Sequence, residues 1–258
     1  MITSQVVDRH EFVEAAAARP ALISDVFIRR LHAFYPLQAH EAAAVAGLIK
    51  DVRTVPSHTE ILPEGRPAKE AVVLLEGLAC HYQVLDTARR QMTGFIVPGD
   101  LCDFGFLSSS PVRQSVMSLG SSTIGRIELE QLSALADKLP NIIVAAMRGA
   151  SIQQASARQL VISLGARDAM QRMAHCLCEI YSRLKVVGLV SSSGQFDLAL
   201  TQAELGEALG LSTVHVNRTI QQLRKQKLIT LANGKVTILD FAGLSGLASF
   251  DGHYLLPN

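Results

Sequence analysis

Between Leu200 and Leu223 the chain carries the signals for two short helices joined by a sharp turn, and few folds accommodate such a run. Thr201 can cap a first helix, with Glu204 three residues on completing a capping box. Leu205, Ala208 and Leu209 then form its buried i, i+3, i+4 face. Gly210 permits the positive φ that ends this helix, and Ser212 caps a second one whose inward stripe is Val216, Ile220 and Leu223. That stripe leaves Val214, Asn217, Arg218, Gln221 and Lys225 facing outward. Any amphipathic helix has a polar outer face, but here it follows a box, a turn and a cap in the order of a helix-turn-helix. Such a face suits a major groove. Arg218 can bond two acceptors on a guanine edge and Asn217 can pair with adenine, while Thr201, Gln202 and the capped start at Ser212 and Thr213 suit phosphate oxygens. His215 lies near enough to that start to touch backbone or base. Beyond it, residues 228–239 alternate around Asn233-Gly234, a strong hairpin signal. This predicts a wing with Lys235 at its tip within reach of phosphate, and Asp240 capping a last short helix.

Upstream, Pro140-Asn141 opens a long stretch without proline in which Ile143, Met147, Ala150, Gln154, Ala157, Val161 and Leu164 recur at alternating steps of four and three. That is a helical seam of heptad type. It must pack either on the rest of the chain or on its own copy in a second subunit. Small Ala150 and Ala157 suit close helix pairing, and polar Gln154 can fix register. A second helix is expected from Asp168 to about Lys185, with Met170, Met173, Ala174, Leu177, Ile180 and Tyr181 inward, and the Ser-rich stretch 188–194 reads as a loop. From about Val52 to Glu130 the pattern changes to short apolar runs, 71–75, 81–85, 94–97, 116–119 and 123–127, with turn signals at Glu64-Gly65, Glu76-Gly77 and Pro98-Gly99-Asp100. This predicts a compact β-rich unit. The alanine clusters 15–18 and 42–46 make the first 50 residues read as helical.

Net charge is +1, which conceals an asymmetry: residues 1–140 carry 13 Lys+Arg and 16 Asp+Glu, whereas 141–258 carry 11 and 7. The span 213–235 holds five basic residues and no acid. A polyanion-binding C-terminal part is implied. No apolar stretch approaches the roughly 18 residues of a membrane span, and the start lacks a basic-then-apolar leader pattern, so a cytoplasmic protein with no membrane partner is expected. The four cysteines, Cys80, Cys102, Cys176 and Cys178, are too sparse for a disulfide framework and have no zinc-ligand spacing. No metal and no cofactor is expected, and Cys80 or Cys102 stays open as a redox-reactive thiol.

The motifs together resemble the superfamily of the cAMP receptor protein and the fumarate-nitrate reduction regulator. The resemblance spans most of the chain: Pro98-Gly99-Asp100 in the β-rich part, the long helix, then Leu200-Thr201-Gln202, Glu204-Leu205, Leu209-Gly210-Leu211-Ser212 and His215-Val216-Asn217-Arg218-Thr219 with the wing. It implies an α+β fold with three parts: a cyclic-nucleotide-binding-type β-roll with N-terminal helices (1–140), a long dimerisation helix (141–166) and a winged helix-turn-helix (167–258). It also implies a homodimeric transcription regulator, not an enzyme, that reads an inverted-repeat site in double-stranded DNA, contacts RNA polymerase and perceives a small-molecule or redox signal. Arg218 matches the family's base-reading arginine, whereas Val214 stands where the family usually has a base-reading glutamate. Effector contacts are expected from Phe104, Arg113, Gln114 and Arg158. Family members that bind cyclic nucleotide carry Gly-Glu and Arg-Ser pairs in the roll and a Thr-Ser pair on the long helix. The corresponding stretches here are 99–106, Arg113-Gln114 and Ala157-Arg158. Each unpaired polar group of a buried ribose phosphate would cost about 1 to 3 kcal/mol, so the signal is not expected to be cAMP. An iron-sulfur centre lacks its ligand set. Two alternatives stay open: a haem- or redox-sensing regulator of the same superfamily, using His58 or His81, and a cupin-like metal-dependent enzyme built on His58, Glu60, Glu64 and His81.

Overall fold

A computed structural model describes residues 25–255, apart from 68, 87–89 and 109. The Ala15–Ala18 cluster lies outside the described residues, while 42–46 falls in a helix. Two helices, α1 (25–34) and α2 (Ala39–Ala46), precede seven strands: β1 (Asp51–Val55), β2 (Glu60–Leu62), β3 (Glu70–Glu76), β4 (Ala79–Val84), β5 (Arg90–Ile96), β6 (Ser115–Ser118) and β7 (Ser122–Glu128). They form two antiparallel sheets, ordered β1-β7-β3 and β2-β6-β4-β5. The short strands β1 and β2 extend the roll beyond the apolar runs visible in the sequence, and a further helix, α3 (Leu129–Ala136), follows it.

Strand β3 is buried on both faces, which explains its near-continuous apolar run. In β3, Val72 and Leu74 point into the roll with Val55, Ile61, Ile96, Val116 and Ile124, while Ala71, Val73 and Leu75 face the helices. The other sheet does the same: Ala79 and Val116 face inward, and Cys80, Tyr82, Met92 and Met117 join a core shared with the C-terminal helices.

The long helix α4 runs from Pro140 to Ala166, and α5 from Ala169 to Val186 with Asp168 accepting from the Gln171 amide as its cap. The face of α4 buried within the chain is Ile142, Ala145, Ala146, Gly149, Ile152, Ser156 and Ser163. The heptad seam is a different face. Met147 is 58% exposed and Val161 70%, Gln154 is exposed, and Ile143, Ala150, Ala157 and Leu164 are half-buried. Packing on the rest of the chain therefore does not account for the seam.

After the loop comes β8 (Gln195–Asp197), then α6 (Gln202–Leu209), α7 (Thr213–Lys225), β9 (Ile229–Ala232), β10 (Lys235–Ile238) and α8 (Phe241–Ala248). The wing has three strands in the order β8-β10-β9 rather than the two of the hairpin alone. The three-residue β8 has no period of its own and is defined by pairing Val236 with Phe196.

One buried carboxylate ties these parts together. At the Pro98-Gly99-Asp100 turn, Gly99 has φ 90°, and a Cβ there would stand 2.7 Å from the Val26 carbonyl and 2.9 Å from the Arg30 Cβ. The turn thus admits only glycine at this close approach. Asp100 accepts from the Val97 amide at 2.9 Å, pairs with Arg30 of α1 at 3.1 Å and bonds Arg183 of α5. Arg30 also donates to the Pro98 carbonyl, Arg183 to Glu179, and the Tyr254 hydroxyl to Glu179 at 2.7 Å. Burial pulls the Arg30 guanidinium down to about 10, offset in part by Asp100. Removing the carboxylate would leave two buried cations facing each other. We predict that Asp100→Ala lowers the unfolding free energy by about 3 to 5 kcal/mol in urea titrations; a loss below about 1 kcal/mol would mean that other groups hold the arginines.

Candidate nucleic-acid interface

The helix-turn-helix is built from local rules. Thr201 caps α6, accepting from the Glu204 amide at 3.2 Å while the Glu204 carboxylate accepts from the Thr201 amide at 2.6 Å. Gly210 ends the helix in the left-handed region at φ 65°. The turn then folds back so tightly that a Cβ on Gly206 would meet the Leu211 carbonyl at 2.5 Å. Gly206 is thus a second requirement of the turn, hinted at in the sequence by a glycine in mid-helix. Ser212 caps α7 by accepting from the His215 amide at 3.2 Å. Val216, Thr219, Ile220 and Leu223 are buried beneath. Arg172 of α5 donates to the Leu209 and Arg167 carbonyls, fixing the turn to the end of α4.

The outer face of α7 is uncovered. Val214, Asn217, Arg218, Gln221 and Lys225 are exposed, as are Thr213 and Ser212, and His215 is half-buried. Asn217 donates to the Gln202 side chain at 3.4 Å, so the two helices present these amides together. Two of the expected phosphate contacts have partners within the chain. The Thr201 hydroxyl donates to Glu204 at 2.7 Å, so its proton serves the cap rather than a phosphate. Lys235, at the start of β10 beside the Asn233-Gly234 turn, pairs with Asp197 of β8 at 3.0 Å, because the third wing strand brings an acid alongside it.

Helix α6 also touches the roll. Arg90 donates to both Glu207 carboxylate oxygens at 2.6 and 2.7 Å, Gln91 donates to the Glu207 carbonyl, and His58 bonds Glu204 at 2.9 Å. Phe95 packs with the same core as Leu205, Ala208 and Leu209. The same strand, β5, walls a cavity of about 620 Å³ between the roll and α4. Of the expected effector residues, Phe104, Arg113 and Gln114 line it, along with Ala150, Gln154 and Ala157 of the seam. Arg158 does not: one residue beyond Ala157, it points to solvent on another face of the helix. The Gln114 carbonyl accepts from Thr93 at 3.2 Å, and the unbonded, buried hydroxyl of Ser156 sits at the cavity edge.

His81 also faces this cavity. Its Nε2–H donates to the Cys102 carbonyl at 2.8 Å, and burial holds the ring below the usual histidine range and therefore neutral. Nε2 is engaged in both His81 and His58, and the His58 Nδ1 bonds Ser57 as well, so of the two only His81 could ligate, through Nδ1. All four cysteines are buried. Burial pushes the Cys80 and Cys178 thiols up to about 12, and raises Cys102 and Cys176 as well, opposite to what a reactive thiolate needs.

The Arg90–Glu207 pair predicts that Arg90→Glu loosens α6 from the roll, read as faster amide exchange in α6. Adding Glu207→Arg should recover protection, with a coupling of roughly 1 kcal/mol. Equal exchange in all variants would mean that apolar packing alone docks the helix.

Comparison with known proteins adds the following. Residues 52–138 match the family model of the cyclic nucleotide-binding domain, and residues 171–247 that of the Crp-like helix-turn-helix domain. A curated relative, the transcriptional activator protein anr of Pseudomonas aeruginosa, is 27% identical over 210 residues, 76% of this chain and 85% of the relative. Transcriptional activator protein FnrA of Stutzerimonas stutzeri is 24% identical over 238 residues, 92% of this chain and 97% of the relative. Among solved structures, FixK2 from Bradyrhizobium japonicum covers 78% of this chain and 98% of its own with a TM-score of 0.66 at 23% identity, a likeness of fold.

Proposed function

Because this chain belongs to the CRP/FNR family of transcription regulators, we propose that it reads an inverted-repeat DNA site as a homodimer, through the outer face of α7. Regulators of this family are not enzymes, and the cupin-like alternative falls with that. The observation that carries the reading is the uncovered α7 face, with Arg218 exposed among polar neighbours above a fully packed inner stripe. Arg218 takes a guanine edge and Asn217, steadied by Gln202, an adenine. Gln202, Ser212 and Thr213 contact phosphates. His215 and Gln221 flank the bases, and Lys235 reaches backbone by exchanging Asp197 for phosphate.

Pairing through α4 is supported by the seam, whose apolar members Met147 and Val161 have no cover within the chain. The parts then divide as 1–140 for sensing, 141–166 for pairing and 167–258 for DNA. Two recognition helices about 34 to 36 Å apart would enter successive major grooves on one side of the duplex. The cavity supports a small-molecule signal. Ala150, Gln154 and Ala157 belong to both cavity and seam, so a partner helix would complete the cavity wall, and occupancy would bias the dimer only by preferring one arrangement. The residues at the nucleotide-contact positions argue against cAMP as that signal. Contact with RNA polymerase is supported by the relatives named transcriptional activators. A DNA target, and no helix among the described residues long and apolar enough to cross a membrane, support a cytoplasmic location.

Two experiments test this reading. In selection from a random duplex library, Arg218→Ala should keep the fold and salt-dependent affinity but lose sequence preference at one position per half-site, at about 1 to 3 kcal/mol; unchanged preference would refute the assignment. In sedimentation, Met147→Arg with Val161→Arg should be monomeric and bind the full site far more weakly, whereas an intact dimer would place pairing elsewhere.

A further inference from the structure

Val214 is the most exposed of the large apolar side chains among the described residues, at 79%, and it sits in the first turn of α7 on the face that presents Arg218 and Asn217. Other exposed apolar residues among those described are Val144 and Met147 near one end of α4, Val161 and Ile162 near the other, the adjacent Val84 and Leu85, and Val52, Leu189, Leu239 and Phe241. Val214 alone of these stands on the outer face of α7, an aliphatic group among Thr213, His215, Asn217 and Arg218 and too small a patch for a protein partner. Nothing about the helix itself calls for it, since valine is a mediocre helix former and contributes no cap. What the position offers is a pair of methyl groups on the face proposed to meet the bases. In a major groove only one base feature is apolar, the 5-methyl group of thymine.

We infer that Val214 is a specificity-determining residue that packs its methyls against a thymine 5-methyl, in a pair next to or one removed from the guanine taken by Arg218. The spacing supports this register. Four residues of helix advance about 6 Å, less than two base-pair steps. An arginine reaches further along the groove than a valine, so the two side chains address neighbouring pairs. The inference rests on α7 being the DNA-reading helix and adds the chemistry of a second base position. Glutamate at this position would accept from a cytosine amine; valine offers no acceptor and would leave that amine unpaired, disfavouring cytosine as well as favouring thymine.

The test uses the full chain and the duplex that it selects. Each thymine of the half-site is replaced in turn by deoxyuridine, which lacks only the 5-methyl. One replacement should weaken binding by about fourfold, the worth of one buried methyl, and the same replacement should leave Val214→Ala unaffected. Val214→Glu should shift selection at that position from thymine towards cytosine. Wild-type affinity indifferent to every deoxyuridine, or a loss that persists undiminished in Val214→Ala, would overturn the inference while leaving Arg218 as the guanine reader. If Arg218→Ala also retains full selectivity, the reading of α7 itself fails.

Discussion

A single carboxylate shared by two buried arginines organises this molecule. Asp100 sits at the tip of the turn between β5 and the next segment of the roll, yet its partners come from α1 and from α5, 70 residues earlier and 83 later. A carboxylate facing one guanidinium would leave the second uncompensated, and two guanidinium groups alone would repel one another. The network is stable only as a set, extended by Glu179 and Tyr254 so that Arg183 is bounded by acids on two sides. Because ion pairs of this kind are costly to bury, its chief effect is on geometry: it specifies one way of setting α5 against the roll. The glycine beside it has the same effect at the backbone level, letting α1 approach within contact of the turn.

That placement of α5 puts α6 and α7 where they are. Arg172 of α5 ties the helix-turn-helix turn to the α4–α5 junction, and α6 leans on β5 in a core that holds Cys80, Met92 and Met117 as well as Leu205, Ala208 and Leu209. Strand β5 thereby has two employments: Thr93, Gly94 and Phe95 wall the cavity, while Arg90 and Gln91 hold Glu207. One strand thus joins the cavity wall to the helix-turn-helix. The cysteines are small buried hydrophobes, their thiols pushed away from ionisation by burial.

The long helix shows how one element serves two neighbours. Its small residues Ala145, Ala146 and Gly149 let it lie close against Phe34 and Phe104 within the chain, and its other stripe is left for the proposed second copy. Periodicity identifies both stripes without saying which of them a partner covers. Burial within the chain makes the distinction, since Ile142 and Ile152 are covered and Met147 and Val161 are not.

What could be read directly from the residues was local. The capping box at Thr201, the cap at Ser212, the Asn-Gly turn and the α7 stripe depend on groups three or four positions apart, so composition and spacing were enough to place them. Gly206 left a weaker trace, because its need arises from a fold-back on Leu211 that spacing alone does not reveal. The third wing strand, Gln195–Asp197, exists through its pairing with β10, and that pairing is also why Lys235 has an acid beside it. Arg158 and Ala157 are adjacent in the chain but on different helix faces, so which one borders the cavity was decided by how α4 sits on the roll. The pairs Asp100–Arg183, Arg90–Glu207 and His58–Glu204 span 83, 117 and 146 positions. No periodicity links such partners, since they meet only after sheets, helices and turns have each found their own covering surface.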